Sequence, residues 1–251
     1  MTIFKHPIVK AFSSMTSSAI LAQVLYLICL PYLSRVYTPS DFGLLASVST
    51  IVSLFVIFSV LRIDFLFIKN QNNTTNYFYS ALLILLVMSL LSIIFLEIID
   101  YPLVIPNWQL LVCFLFMGLY SLGTNFSVGR ADYKSLSIGR IIQIIIQCSV
   151  MIFFAKYYDS YGLIYGFIVG QLIASLFFFY KLDIQKINFS EVFKLIKIAK
   201  KFCTHNTLLA ILQYSVPLVP ILVGKYLYTT AELGGYFLFF QTLAGPFAIV
   251  R

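Results

Sequence analysis

The chain has 251 residues, of which 61% are hydrophobic and only 10% are charged, and its mean hydropathy is +0.95. Soluble domains carry about a quarter of charged residues, so this composition excludes a water-soluble enzyme or binding domain. The formal net charge of +8 comes from 17 Lys and Arg against 9 Asp and Glu. Because the charges cluster between apolar stretches, they indicate loops of a membrane protein, and we expect no nucleic-acid partner.

Eight apolar stretches follow one another along the chain, each long enough for a helix to cross the hydrocarbon core, which takes about 20 residues. None alternates with the period of two that a strand of a transmembrane barrel requires. Helices satisfy their own backbone groups in lipid, so the sequence predicts an all-α polytopic membrane protein with about eight transmembrane helices. The predicted spans are Ala11–Ser34, Phe42–Leu61, Tyr77–Leu96, Trp108–Val128, Leu136–Ala155, Ser160–Tyr180, Phe202–Gly224 and Leu233–Val250.

Lys and Arg concentrate in alternate loops, as they do in loops that stay in the cytoplasm. If the N-terminus is cytoplasmic, only Arg35, Lys156 and Lys225 fall on the outer side. This asymmetry predicts that both termini are cytoplasmic. The longest hydrophilic stretch, Lys181–Lys201, is then also cytoplasmic. Its apolar residues interleave with lysines, which fits an amphipathic helix on anionic phospholipid headgroups or a plain solvated linker.

The sequence contains no set of residues that indicates catalysis. It has no Ser/His/Asp arrangement, no Walker loop and no pair of carboxylates within a span. The four cysteines stand alone in or beside apolar stretches, without the spacing of a metal site or a redox pair. We therefore expect a protein that is not an enzyme and that takes no metal and no cofactor.

A short motif between the first two spans recurs 191 residues later, between the last two. Tyr37–Gly43 reads YTPSDFG, and Tyr228–Gly234 reads YTTAELG, so that Tyr, Thr, an acid and Gly recur in register. Both copies join an outgoing helix to an incoming one. Internal repeats of this kind occur in transporters built from two similar lobes. We expect a complete six-helix lobe over residues 1–180, a basic linker over 181–201 and the first two helices of a second lobe over 202–251.

The chain also resembles the polysaccharide and O-antigen flippases of the multidrug/oligosaccharidyl-lipid/polysaccharide exporter superfamily. The likeness covers nearly the whole chain and implies the architecture of that superfamily, known as MATE-like. Members of the family carry more than eight spans, so the chain corresponds to a member that is truncated after its eighth span. The residues that carry the likeness are, in order, Leu33–Gly43, Leu61–Asp64, Ile138–Arg140 with Gln143 and Gln147, Gly162–Gln171, and Pro217 with Pro246.

The resemblance implies translocation of an undecaprenyl-diphosphate-linked oligosaccharide across the bacterial inner membrane, for O-antigen, capsule or other surface polysaccharides. It also implies a polysaccharide polymerase and a chain-length regulator as partners. Three alternatives stay open. A cation-coupled drug or metabolite exporter would carry an acid deep within a span, a membrane polymerase or glycosyltransferase would carry a large outer loop or a cytoplasmic domain, and a truncated fragment would be inactive.

Arg140, Gln143 and Gln147 are the candidates for a substrate path. Their i, i+3, i+7 spacing places them on one face of the fifth predicted span. Arginine binds a diphosphate through charge-assisted hydrogen bonds, and amides bind sugar hydroxyls. The alternative is that Arg140 reaches the headgroups and that the glutamines bond neighbouring helices.

Other polar or special residues in the spans have simpler interpretations. Arg62 and Asp64 point to different faces of a helix, and for each a structural or gating ion pair with another segment is favoured over contact with the substrate. The four-residue spacing of Gly162, Gly166 and Gly170 predicts a smooth face for close helix packing. Pro217 and Pro220 are candidates for a hinge that kinks the seventh span. Single amides in the spans are expected to bond neighbouring helices, and they are Gln23, Gln171, Gln213 and Gln241.

Overall fold

The computed structural model describes residues 7–60, 74–99, 105–155, 161–180, 219–221, 223–224 and 226–250. These residues form helices joined by turns, with no strand among them, as the sequence predicted. Residues 219–221, 223–224 and 226–227 are helical. The continuous helices are α1 (Pro7–Val36), α2 (Pro39–Val60), α3 (Thr74–Ile99), α4 (Asn107–Gly129), α5 (Tyr133–Phe154), α6 (Gly162–Tyr180) and α7 (Thr230–Val250).

Six helices of the described part are long and apolar enough to cross a membrane, and they coincide with the first six predicted spans. The prediction of an all-α polytopic membrane protein is therefore confirmed. The spanning segments are Met15–Val36, Pro39–Ile57, Tyr77–Glu97, Asn107–Gly129, Tyr133–Phe154 and Gly162–Tyr180.

The second half of the predicted organisation is described only in part. The seventh predicted span, Phe202–Gly224, lies outside the described residues except near its end, where the chain is helical. Helix α7 covers the eighth predicted span. The basic segment Lys181–Lys201 also lies outside the described residues. The division into two lobes and a linker thus stays a prediction.

The corner between α1 and α2 is held by Thr38 and Asp41. One carboxylate oxygen of Asp41 accepts hydrogen bonds from the backbone N–H and the hydroxyl of Thr38, both at 2.8 Å. Pro39 is the first residue of α2, a position where its missing N–H has no helical partner to lose. An acid in the first turn also interacts favourably with the helix dipole, so this helix start is encoded locally.

The repeated motif forms the same corner before α7. The carboxylate of Glu232 accepts hydrogen bonds from the backbone N–H of Thr229 at 2.8 Å and from its hydroxyl at 2.9 Å. The backbone N–H of Tyr228 donates to the carbonyl of Gly224, as that of Tyr37 does to the equivalent Leu33. The two copies of the motif therefore share their hydrogen bonds as well as their sequence pattern.

The two corners also pack against each other, through one glycine from each copy. A Cβ atom on Gly43 would overlap the carbonyl oxygen of Thr230, and one on Gly234 would overlap the carbonyl oxygen of Pro39. Thr230 and Pro39 are equivalent positions of the repeat, so the contact is reciprocal, as it is across a two-fold axis. Helices α2 and α7 approach this closely because neither residue has a side chain.

The core lies around α2, which contacts α3, α4, α6 and α7, while α1 packs on α5. Aromatic rings meet edge to face within it, as in the pair Phe55 and Phe114 at 5.3 Å between centroids. Large apolar side chains such as Ile28, Leu90 and Phe153 are exposed on the outside, as expected for a surface that faces lipid. The largest fully buried side chains are Leu33, Phe42, Phe78, Leu85, Phe114, Leu122, Leu136, Met151, Leu163 and Ile164.

A tight turn between α4 and α5 sets the start of the helix that carries the predicted path residues. Ala131 has a φ of 56°, in the left-handed region, and the N–H of Asp132 donates to the carbonyl of Ser127 at 2.9 Å. The Asp132 side chain then accepts from the backbone N–H of Ser135 at 3.1 Å. An aspartate cap of this kind satisfies a backbone N–H that has no partner inside the helix.

Candidate functional site

A small cavity with both polar and apolar lining residues lies where α1, α2, α5, α6 and α7 meet. Its volume is about 150 Å³. The lining residues from α1, α2, α5 and α6 all belong to membrane-spanning segments, so the cavity lies within the bundle. We call it the central cavity, and its lining is Gln23, Tyr26, Leu45, Ser49, Ile144, Gln147, Phe167, Phe237 and Gln241.

Three glutamines line the central cavity. The side chains of two of them, Gln23 and Gln147, differ in their hydrogen bonds. The Nε2 atom of Gln23 donates to the backbone carbonyl of Gln241 at 3.0 Å and so ties α1 to α7. Gln147 is only 7% exposed, and its side-chain amide has no hydrogen-bonding partner among the described residues. The amide of Gln147 is therefore available to a ligand or to water.

The other walls of the central cavity are a hydroxyl and aromatic rings. Ser49 supplies the hydroxyl, while Phe167 and Phe237 supply buried rings from α6 and α7. None of the lining residues in the described part of the chain is a Lys, Arg, His, Asp or Glu. Amides and hydroxyls can exchange hydrogen bonds with sugar hydroxyls, and aromatic rings can bury the apolar face of a ring.

Arg140 lies on the same face of α5 as the cavity-lining residues but outside the cavity. Arg140, Ile144 and Gln147 have i, i+4, i+7 spacing, which places Arg140 two turns, or about 10 Å of helix rise, from Gln147. Its guanidinium is partly buried and donates from Nη1 to the carbonyl of Met15 at 3.4 Å. In the predicted topology, this end of α5 faces the cytoplasm.

The structure places only one of the three predicted path residues in the central cavity. Gln147 lines it, Arg140 lies beside it on the same face, and the side chain of Gln143 is not part of the lining. The carbonyl of Gln143 instead faces α6, where a Cβ atom on Gly170 would lie 3.1 Å from it.

The three glycines of α6 lie at close contacts with α5 and the α1–α2 corner. A Cβ atom on Gly162 would overlap the hydroxyl oxygen of Tyr37. One on Gly166 would lie 2.9 Å from the carbonyl oxygen of Gln147, and one on Gly170 would lie 2.8 Å from the Cβ of the same residue. The close approach of α6 therefore fixes the backbone that carries Gln147.

The gating and hinge candidates are not among the described residues that line the central cavity. Arg62, Asp64 and Pro217 lie outside the described residues. Pro220 is helical and exposed, and it lines an apolar cavity of about 600 Å³ between residues 219–228 and the start of α7. This second cavity is lined by Val219, Pro220, Val223, Gly224, Leu227, Tyr228, Glu232, Leu233 and Tyr236.

For Gln23 and Gln241, the sequence favours helix–helix bonds over a ligand site. Gln23 does make such a bond, but both residues also line the central cavity. The spacing of Gln23 and Tyr26, three residues apart, was the available signal for a polar face on α1. Ser49 and Phe237 gave no such signal, because nothing local distinguishes them from other residues of their spans.

Comparison with known proteins decides the family. A family model described as polysaccharide biosynthesis protein matches residues 32–250. The chain belongs to this family. No curated protein and no solved structure matches it. The matched range includes every residue of the central cavity except Gln23 and Tyr26. A membrane protein of polysaccharide biosynthesis therefore carries, inside its spans, a cavity lined by amides, a hydroxyl and aromatic rings.

Proposed function

We propose that the chain translocates a lipid-linked oligosaccharide, carried on undecaprenyl diphosphate, across the bacterial inner membrane. The observation that carries this proposal is the central cavity, which offers amides and aromatic rings to a glycan at membrane depth. Polar residues inside a membrane are costly and indicate a functional site. Family membership supports the proposal because surface polysaccharides are assembled from such lipid-linked units.

Each part of this substrate has a matching surface on the chain. One sugar of the glycan at a time occupies the central cavity, and the prenyl tail stays in lipid beside the apolar outer surface. The diphosphate needs a cation, and Arg140 is the charged residue on the cavity-lining face of α5. Charge-assisted hydrogen bonds from a guanidinium to phosphate oxygens are stronger than those between neutral groups, so Arg140 is our candidate for the diphosphate contact.

The membrane potential is an adequate driving force for this transport. Moving one negative charge outward across an inside-negative membrane gains about 2.3 kcal/mol per 100 mV. The proposed activity is transport without a chemical step and without a cofactor. A polysaccharide polymerase and a chain-length regulator are the proposed partners, because they would act on the glycan after translocation.

The test compares variants of Arg140 in cells that lack the chromosomal copy of the gene. Arg140→Ala is expected to reduce export of lipid-linked glycan about tenfold or more, while the amount of protein in the membrane stays the same. Arg140→Lys is expected to be intermediate, because lysine keeps the charge but loses the planar fork. Lys134→Ala is the matched control, since Lys134 is an exposed cation on another face of α5.

Glycan export is measured by labelling the glycan that reaches the outer face, and protein abundance is measured by immunoblotting membranes. Equal export by the wild type, both Arg140 variants and the control would contradict a role for Arg140. Loss of the protein itself in Arg140→Ala would assign Arg140 a structural role through its bond to the carbonyl of Met15.

A further inference from the structure

The central cavity combines amides and hydroxyls with apolar side chains, and its described lining carries no charge. Among the described residues that line it, none is a Lys, Arg, His, Asp or Glu. Arg140 is a cation on the cavity-lining face of α5, about 10 Å from Gln147 by helix rise. A ligand group in the cavity therefore meets no charged side chain among the described lining residues.

The bonding state of the amides defines what a ligand must offer. Gln23 uses its amide N–H toward Gln241, which leaves its carbonyl oxygen as an acceptor. The amide of Gln147 presents both donors and an acceptor, and it has no partner within the described part of the chain. A ligand that satisfies these groups must both donate and accept. Hydroxyl and acetamido groups do both, whereas an ionised carboxylate only accepts.

The size of the cavity matches a single ring. An apolar cavity of about 150 Å³ in another protein holds one benzene molecule, and the central cavity has a volume of about 150 Å³. The cavity therefore has room for about one six-membered sugar ring beside Phe167 and Phe237.

We infer that the central cavity selects an uncharged sugar, such as a hexose or an N-acetylhexosamine, over a hexuronic acid, and that Gln147 is the residue that sets this selectivity. The inference rests on the proposed function and specifies the sugar class that the site takes. Burying a carboxylate without a cation costs several kcal/mol. The described lining provides no cation to offset that cost, whereas its amides and hydroxyls can exchange hydrogen bonds with the hydroxyl groups of an uncharged sugar.

The experiment measures equilibrium binding of two probes to the purified full chain in lipid nanodiscs. Both probes are radiolabelled farnesyl diphosphates that carry one sugar, N-acetylglucosamine in the first and glucuronic acid in the second. Because the prenyl diphosphate is shared, the ratio of the two dissociation constants reports the sugar alone. We expect the wild type to bind the first probe at least about tenfold more tightly than the second.

Variants of Gln147 test its role directly. Gln147→Leu is expected to weaken binding of the N-acetylglucosamine probe about tenfold and to bring the dissociation constants of the two probes close together. Gln147→Lys is expected to reverse the preference, since it places a cation at the site. Ser149→Leu is the matched control: Ser149 is exposed on α5 and lies outside the cavity lining, so its change should leave the ratio as in the wild type.

Arg140→Ala separates this inference from the proposed function. It is expected to weaken both probes by a similar factor and to leave their ratio unchanged, because it acts on the shared diphosphate. If both probes bind equally well and Gln147→Leu changes neither, the selectivity is overturned while the proposed function stands. If neither probe binds, both are overturned. A change of the ratio in Ser149→Leu as large as in Gln147→Leu would also overturn the role of Gln147.

Discussion

The α1–α2 corner and the corner before α7 have the same motif and the same local hydrogen bonds, but very different surroundings. Tyr37 is 4% exposed, whereas the equivalent Tyr228 is 60% exposed. Asp41 is buried, and its counterpart Glu232 is exposed. The comparison shows that the motif itself determines the turn, while burial depends on which helices pack over it.

The helices that cover the first corner are α5 and α6. The hydroxyl of Tyr37 donates to the carbonyl of Met151 in α5 at 2.7 Å, and Gly162 of α6 lies directly against it. Burial, together with the nearby Asp41, raises the pKa of Tyr37 to about 12, so the phenol stays protonated as a donor at neutral pH. The equivalent Tyr228 lies instead along the apolar cavity of about 600 Å³.

The largest expected effect comes from the reciprocal glycine contact between the corners. Alanine at Gly43 or at Gly234 would place a methyl group on a backbone carbonyl of the facing helix, and overpacking of this kind costs roughly 1–3 kcal/mol. Gly235→Ala is the matched control, because a Cβ atom there meets nothing within 4 Å. It should stabilise α7 by up to about 1 kcal/mol through helix propensity.

Thermal unfolding of the purified chain in detergent measures these effects. Gly43→Ala and Gly234→Ala should lower the midpoint temperature, whereas Gly235→Ala should leave it unchanged or raise it. The double variant at Gly43 and Gly234 should be less destabilising than the sum of the single variants, because one displacement of α7 relieves both overlaps. A shift of the same sign at all three glycines would argue against a specific contact between the corners.

The second-largest expected effect on stability distinguishes Tyr37 from Tyr228. Tyr37→Phe removes the phenol hydrogen bond to the carbonyl of Met151, which then keeps the backbone N–H of Ala155 as its donor. We expect a loss of about 1 kcal/mol in the free energy of unfolding. Tyr228→Phe should change it by less than about 0.5 kcal/mol, as is usual for exposed positions. Denaturant titration of the two variants side by side checks this. Equal losses would mean that the burial of the first corner is not what distinguishes it.

The features that depend on local sequence pattern were predictable, whereas those that depend on packing between distant segments were not. Apolar length alone located the first six spans, and the recurring Thr and acid located both corners. The central cavity was not predictable as a whole, because Gln23, Gln147 and Gln241 lie on three different helices. Helix periodicity on α5 and the spacing of Gln23 and Tyr26 on α1 pointed toward it, but the periodicity on α5 also included Gln143, which is not part of the lining.

The smallest effect concerns the exposed carboxylate at the start of α7. The backbone N–H and the hydroxyl of Thr229 lower the pKa of Glu232 from its ordinary 4.5, so the charged form of Glu232 stabilises the cap above that value and the stabilisation is lost as pH falls through the lowered pKa. Because the side chain is exposed and screened, the effect should be confined to the first turn of α7.

Hydrogen exchange of a peptide covering 226–235 should show Glu232→Gln less protected than the wild type at pH 7 and equally protected at pH 2 to 3, with each pair compared at one pH. At pH 7, Asp41→Asn should reduce the protection of the first turn of α2 by more than Glu232→Gln reduces that of the first turn of α7, because the carboxylate of Asp41 is buried. Equal responses at the two acids would mean that the covering helices add nothing to the cap, and a difference for Glu232→Gln that persists in acid would mean that its charge is not the cause.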